Sequence, residues 1–294
     1  MSDANPVTHY AQQYKGGLEL LLQQKMSALR PYVTVGSYTG RGAAPIDQIG
    51  EMEARLVTVR HAPIEHQDPE TDRRWVYPKD YDASVLIGGF DRVRQIADPK
   101  STYLQAGHAA MNRAVDDVIN AAFFGAARTG QEGGDSTVFP TGTQQVGVNV
   151  GGTNSGLNVE KIRAGRKILR KNFVDPSEPI YCAVTAEQMD DLLGQVQIVS
   201  SDFNRNQPLV EGDVKYFLGV NFIICERLSI GSSIRRVPMW VKNGMHLGMW
   251  ADITVDITQD KTRSGLPWQI YLMMTLGATR LEEKRVVELQ CYEA

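Results

Sequence analysis

The sequence is poor in the residues on which redox and metal chemistry depend. It has three cysteines and five histidines in 294 residues. Cys182, Cys225 and Cys291 stand more than forty residues apart, so there is no C-x-x-C redox or zinc pair. Cys182 and Cys225 fall inside the apolar runs 180–184 and 222–225, where a reduced thiol acts as a small hydrophobe. That suits a reducing compartment. No run of eighteen apolar residues occurs, which excludes a transmembrane helix of ordinary length. Residues 1–10 lack a basic segment followed by an apolar one, so no signal peptide is expected. Neither sign of charge dominates: 31 Lys and Arg against 34 Asp and Glu leave a net charge of −3. A strongly basic, free nucleic-acid binder is therefore excluded.

What is present is an ordinary globular composition, 42 % hydrophobic and 22 % charged, with ample length for a core. The 27 glycines call for an explanation. Tyr10, Tyr14, Leu18, Leu21, Leu22 and Leu29 recur at helical steps, which predicts a helix over residues 9–30 closed by Pro31. Residues 31–50 turn to glycine, proline and small residues and read as an extended connector. Two strand-like runs follow, 54–60 and 73–76, the second continuing through 84–87. The loop tip between them, residues 61–72, carries two prolines and several charged side chains. From Glu51 to Asp82 there are eight acidic and five basic residues. A hairpin so charged builds no core of its own and reads either as a solvated flap or as an arm held on a neighbour by ion pairs.

Asp98 as N-cap and Pro99 at the first position open the strongest helix. Leu104, His108, Met111, Val115, Val118 and Ala122 repeat in 4,3 steps, and Gly125 stops it. A helix over 99–124 would be about 39 Å long, a spine for other elements. Residues 130–156 hold eight glycines and read as loop with one short strand at Val146–Val150. The text then becomes α/β. Asn158 caps a helix over 159–171, and a strand covers 179–184. Thr185 to Gln188 form a capping box for a helix ending at Gly194. Further strands are expected at 219–225, 239–241, 246–250, 252–258, 267–279 and 285–291. The turn 242–244 lies between the short strands 239–241 and 246–250.

Catalytic signatures are weak. His61, Glu65 and His66 miss the inverzincin spacing by one residue, and Pro63 forbids the helix it needs. Asp116 and Asp117 are adjacent on the spine helix and point about 100° apart, so they do not converge on a metal. His108 lies on the apolar stripe of that helix and reads as an interior or interface histidine. The glycine-rich segment lacks G-x-G-x-x-G and a Walker lysine, so it is a poor phosphate loop. No catalytic, metal or cofactor residues are assigned. The helix 159–171 carries Lys161, Arg163, Arg166, Lys167, Arg170 and Lys171; its bland reading is a solvated face and its sharper one a contact with a phosphate backbone.

Element order then carries a resemblance. The stretch 217–228, Phe-Leu-Gly-Val-Asn-Phe-Ile-Ile-Cys-Glu-Arg-Leu, resembles the strand that closes the axial domain in major capsid proteins of tailed bacteriophages. Residues 250–257 resemble the next strand of that family, and 275–280 with 286–290 its final pair. The resemblance covers nearly the whole chain and implies the Hong Kong-type capsid fold, an α+β architecture. It implies an N-terminal arm at 1–48 and an extended β-hairpin loop at 49–90. A peripheral domain would follow at 91–156 with the long spine helix, an α/β axial domain at 157–246, and peripheral return strands at 247–294. The implied function is structural, not enzymatic: self-assembly into hexamers and pentamers of an icosahedral shell around double-stranded DNA. The implied place is the virion capsid, assembled in host cytoplasm, without membrane contact.

On that reading Glu65, Asp68, Glu70, Asp72, Arg73, Arg74 and Lys79 are the intersubunit contacts of the loop, and Arg163, Arg166, Lys167 and Arg170 are candidate DNA-facing cations. Further implied partners are portal, scaffolding and decoration proteins. Because the arm begins almost at Met1, scaffolding is expected from a separate protein or not at all. Some family members crosslink a Lys to an Asn; Lys79 is the only lysine of the loop and no asparagine is paired with it here. The glycines of the connectors would let the chain bend differently at quasi-equivalent positions. Two rivals remain: a cellular shell of the same fold with protein cargo, and a soluble enzyme binding a phosphate ligand through 130–156.

Overall fold

The computed structural model describes residues 23–40, 42–58, 60, 63–64, 66–87, 100–150, 152–195 and 214–293. In chain order its strands and helices begin with β1 (Thr34–Ser37), β2 (Ala44–Ile49), β3 (Thr71–Val76), β4 (Lys79–Ile87) and the long helix α1 (Lys100–Phe124). Next come β5 (Ala127–Thr129), β6 (Asp135–Thr137), the one-turn α2 (Thr141–Gln144) and β7 (Gln145–Val146). The α/β portion holds α3 (Val159–Lys171), β8 (Ile180–Val184), α4 (Ala186–Leu193), β9 (Tyr216–Phe217), β10 (Val220–Ile224), β11 (Ile230–Gly231) and β12 (Ile234–Val241). The chain ends in β13 (Met245–Gln259), β14 (Trp268–Arg280) and β15 (Val286–Tyr292).

Among the described residues the strands form three sheets. The largest runs β7-β15-β12-β8-β10-β9, with β11 on β12. Its centre is mixed, with β8 parallel to β10 and antiparallel to β12. The other two run β1-β13-β14-β4 and β2-β3-β5-β6.

Contacts divide the chain into two units. The smaller draws on Met1–Met26, Tyr81–Arg113 and Ile253–Met274. In it Ile270, Leu272 and Met274 alternate as buried residues along β14. Gly107 of α1 admits Leu272 so closely that a Cβ there would stand 2.6 Å from its Cδ1, a position only glycine fills without displacement.

The larger unit contains Ser27–Asp80, Ala114–Asp252 and Thr275–Ala294. Its core centres on Trp240, fully buried, with the ring of Phe123 at 4.7 Å and that of Tyr181 at 6.0 Å. The indole N–H donates to Tyr32 O at 3.0 Å, so the buried polar tip is satisfied. Arg280 is also fully buried. Its guanidinium donates to Phe123 O and Gly125 O at 2.8 and 3.0 Å. A cation there meets the carbonyls that the end of α1 leaves unpaired and the negative end of its dipole.

The α/β part follows its local signals. Asn158 Oδ1 accepts the Lys161 N–H and caps α3, and the capping box of Thr185 and Gln188 opens α4. The three cysteines are buried and free. Elsewhere the sequence expectations need correction. Residues 23–29 of the expected first helix are not helical, and only a 3₁₀ turn forms at Arg30–Tyr32; residues 9–22, like the cap Asp98-Pro99, lie outside the described residues. Three acceptor contacts from Asp116 hold residues 27–29 in place of a helix ladder: Ser27 Oγ at 2.5 Å, Ala28 N at 3.0 Å and Leu29 N at 3.1 Å. Asp117 instead takes a bidentate pair from Arg227, so the adjacent carboxylates serve different partners.

The connector expected over 31–50 is in fact half strand. Residues 44–49 pair antiparallel with β3, Pro45 opposite Trp75. As β2 is an edge strand, the missing proline N–H costs no ladder bond on its open side. The strand expected at 54–60 does not form among the described residues. In 130–156, the expected strand shortens to Gln145–Val146, and the glycines punctuate β5, β6 and α2.

Candidate assembly interface

The hairpin loop is anchored at its base and open beyond it. Asp47 lies opposite Arg73 in the β2–β3 ladder, and their side chains pair at 2.5 Å. Arg73 also reaches Gln131 O and lies over the Trp75 ring. Arg74 is only 5 % exposed. Its Nε donates to Leu281 O at 3.0 Å, and Nη2 pairs with Glu283 at 2.9 Å and Asp72 at 3.3 Å. Both arginines were expected on a neighbouring subunit. Here they tie the loop base to their own chain, since β3 and the turn after β14 come together there. Reversing Arg74 would therefore damage the fold before it tested any interface.

Beyond the base, Gly50 N–H donates to Glu70 O at 2.6 Å and Glu53 N–H to Gln67 Oε1 at 3.3 Å. Residues 51–58 are exposed throughout. Asp68, Glu70, Asp72 and Lys79 are exposed; Glu65 lies outside the described residues. The charge pattern hid an apolar one. Ile49, Met52, Leu56, Val57 and Ile64 are 63–83 % exposed. Leu56 and Val57 were visible in the sequence as part of an alternating run, but read as a strand with a partner in its own chain.

On α3, Arg163 and Lys167 are exposed four residues apart and share one face. Arg166 is half-buried beside Gly219, and Arg170 donates to Val174 O and Pro176 O at 3.0 and 3.3 Å. Lys161, grouped with these cations by composition, is instead fully buried. Its Nζ donates to Ser155 O, Gly156 O and Gln290 O at 2.5, 3.0 and 2.8 Å. Burial pushes its pKa below the usual lysine value, against the pull of Cys291 and Asp191. The Cys291 thiol is pushed up to about 12, chiefly by burial. No group of three or more His, Cys, Asp or Glu able to hold a metal occurs among the described residues.

The family model described as phage capsid protein matches residues 7–293. The chain belongs to this family. No curated protein matches it in sequence. Solved capsids share the fold of this capsid protein at low identity. The capsid structure of cyanophage P-SCSP1u is 14 % identical with a TM-score of 0.75, covering 98 % of this chain and 94 % of that one. The capsid of cyanophage Pam1 is 10 % identical with a TM-score of 0.76, covering 100 % and 99 %. The capsid of Ralstonia phage GP4 is 11 % identical with a TM-score of 0.73, covering 100 % and 98 %. This capsid protein is thus a structural component of a phage shell, with the α+β Hong Kong-type fold. The enzyme and cellular-shell readings are not favoured. Among the described residues, no helix is long and apolar enough to cross a membrane.

Proposed function

We propose that copies of this chain close into hexamers and pentamers of an icosahedral shell around double-stranded DNA. The observation that carries this is the uncovered loop. Leu56 at 83 % and Val57 at 66 % exposure find no core among the described residues of their own chain. Burying each such side chain is worth about 1.5–3 kcal/mol, so a neighbouring subunit is the natural cover. In this reading residues 1–48 are an arm and 49–90 the loop that overlaps a neighbour. Residues 91–156 and 247–294 form the peripheral domain, and 157–246 the axial domain. Asp68, Glu70, Asp72 and Lys79, with Glu65, set the register of the overlap, because exposed ion pairs contribute specificity more than affinity. Arg163 and Lys167 are the better candidates to face DNA, Arg166 and Arg170 being partly engaged within the chain. The protein is non-enzymatic, assembles in the host cytoplasm, and meets portal, scaffolding or decoration proteins during that assembly.

Particles recovered from phage-producing cells test this. Nuclease-protected duplex DNA inside them supports the reading. A packaged enzyme in its place would transfer the chain to the cellular shells.

A further inference from the structure

Phe173 is a poor residue for its own fold. It follows the C-terminus of α3 with φ +60, and is 90 % exposed. Around it the chain closes the helix in the usual way, with Phe173 N–H to Arg170 O at 3.2 Å and Val174 N–H to Leu169 O at 3.4 Å. Glycine favours this left-handed position, because a Cβ is penalised there. Among the described residues the ring finds no cover in its own chain to offset that penalty. Charges of both signs stand near it, exposed Asp175 two residues on and two exposed cations. Lys171 is exposed, and Asn172 Nδ2 donates to the carbonyl of Lys284, whose side chain is also exposed.

The opposite end of the same sheet is its counterpart. Lys284 precedes β15, where Val286 stands opposite Trp240 and Trp240 opposite Tyr181. The Phe173 corner therefore sits at the start of β8. At the other end of β8, Val184 pairs with Ile224, four residues and about 13 Å further on. Ile224 is 47 % exposed. Glu226 and Glu187 are exposed there, and Glu226 accepts the Ala186 N–H at 2.6 Å. With exposed Asp175 counted against Lys171 and Lys284 the first end is still net positive, and with exposed Arg227 already paired to Asp117 the second, carrying Glu187 and Glu226, is net negative.

Resting on the shell reading above, we propose that the occupant is a second copy of this chain, docked head to tail. Phe173 of one copy packs on Ile224 of the next, with Lys171 facing Glu187. Unlike patches at opposite ends make a heterologous contact, which closes into a ring when each copy is rotated by a fixed angle. Charge complementarity selects the second copy over DNA, which would be repelled by the acidic end, and over a separate protein, which need not match both ends.

The test uses the full chain, with assembly followed by sedimentation velocity and folding by thermal melting of the dissociated chain. Phe173→Gly and Phe173→Asn both suit the left-handed backbone. Both should melt at or above the wild type and raise the concentration needed for assembly about tenfold or more. Lys171→Glu and Glu187→Lys should each weaken assembly, and the double variant should restore it. The proposal is overturned if the Phe173 variants assemble as the wild type does, if they melt lower, or if the double reversal gives no recovery. These outcomes leave the shell reading standing, since the wild type still assembles. A wild type that forms no shell overturns both.

Discussion

Replacing Lys161 by methionine isolates a polar clamp at the centre of the α/β portion. Methionine keeps the length and apolar stem of the side chain and removes the ammonium. Ser155 O keeps the Tyr292 N–H at 2.9 Å, but the carbonyls of Gly156 and Gln290 lose the Lys161 donor. A buried acceptor left unpaired costs about 1–3 kcal/mol. The loss is partly offset, because burying the ammonium was itself unfavourable, as its lowered pKa records. A net loss of about 3 kcal/mol follows, or roughly 5 °C in Tm for a chain of this size. The pH dependence carries a second signature. With the folded pKa below 10.5, the unfolded chain binds more protons between the two values, so lysine contributes a rise in stability with pH there. The methionine variant lacks that rise, and its deficit widens toward pH 10.5. Denaturant melts at several pH values measure both effects. A Tm within 1 °C of wild type, or a deficit that shrinks as pH rises, would refute the reasoning.

Other perturbations read separate parts of the account. Asp116→Ala should cost about 3–4 kcal/mol, because it strips acceptors from the Ala28 and Leu29 N–H groups and from Ser27 Oγ; hydrogen exchange should rise first at residues 27–29. His246 is held neutral by burial, its pKa below 6.5, and its Nε2 lies 2.9 Å from Tyr38 Oη. Stability should therefore fall as pH drops below 6.5 toward the folded pKa, and His246→Gln should flatten that limb in pH-dependent melts. Leu56→Asp with Val57→Asp should leave the melting temperature of the dissociated chain unchanged while abolishing particles in electron micrographs.

Local chemistry was legible where it is self-sufficient. The bounds of α3 and α4 follow from Asn158 and from the Thr185–Gln188 box because caps act within one turn. Pairing between distant segments was not. Pro45 and its glycine-rich flanks argued against a strand, and only the edge position of β2 makes one acceptable. The 54–60 run alternates like a strand, yet among the described residues no element of its own chain pairs with it, so periodicity alone did not decide its partner. Lys161 looked like one cation among six on its helix; the carbonyl of Gln290, far along the chain, is part of what makes its burial tolerable. Arg74 was equally opaque, since Glu283 stands over two hundred residues away. At the interface the sequence displayed charge, while the exposed apolar side chains between those charges became visible only once their own chain failed to cover them.

The central claim is that this chain is completed by copies of itself. Cryo-electron microscopy of the purified protein after expression tests it most directly. The account predicts closed icosahedral shells in which residues 50–70 of one subunit lie on the next and Leu56 and Val57 are covered. A small oligomer of fixed stoichiometry, with that loop still exposed to solvent, would contradict it.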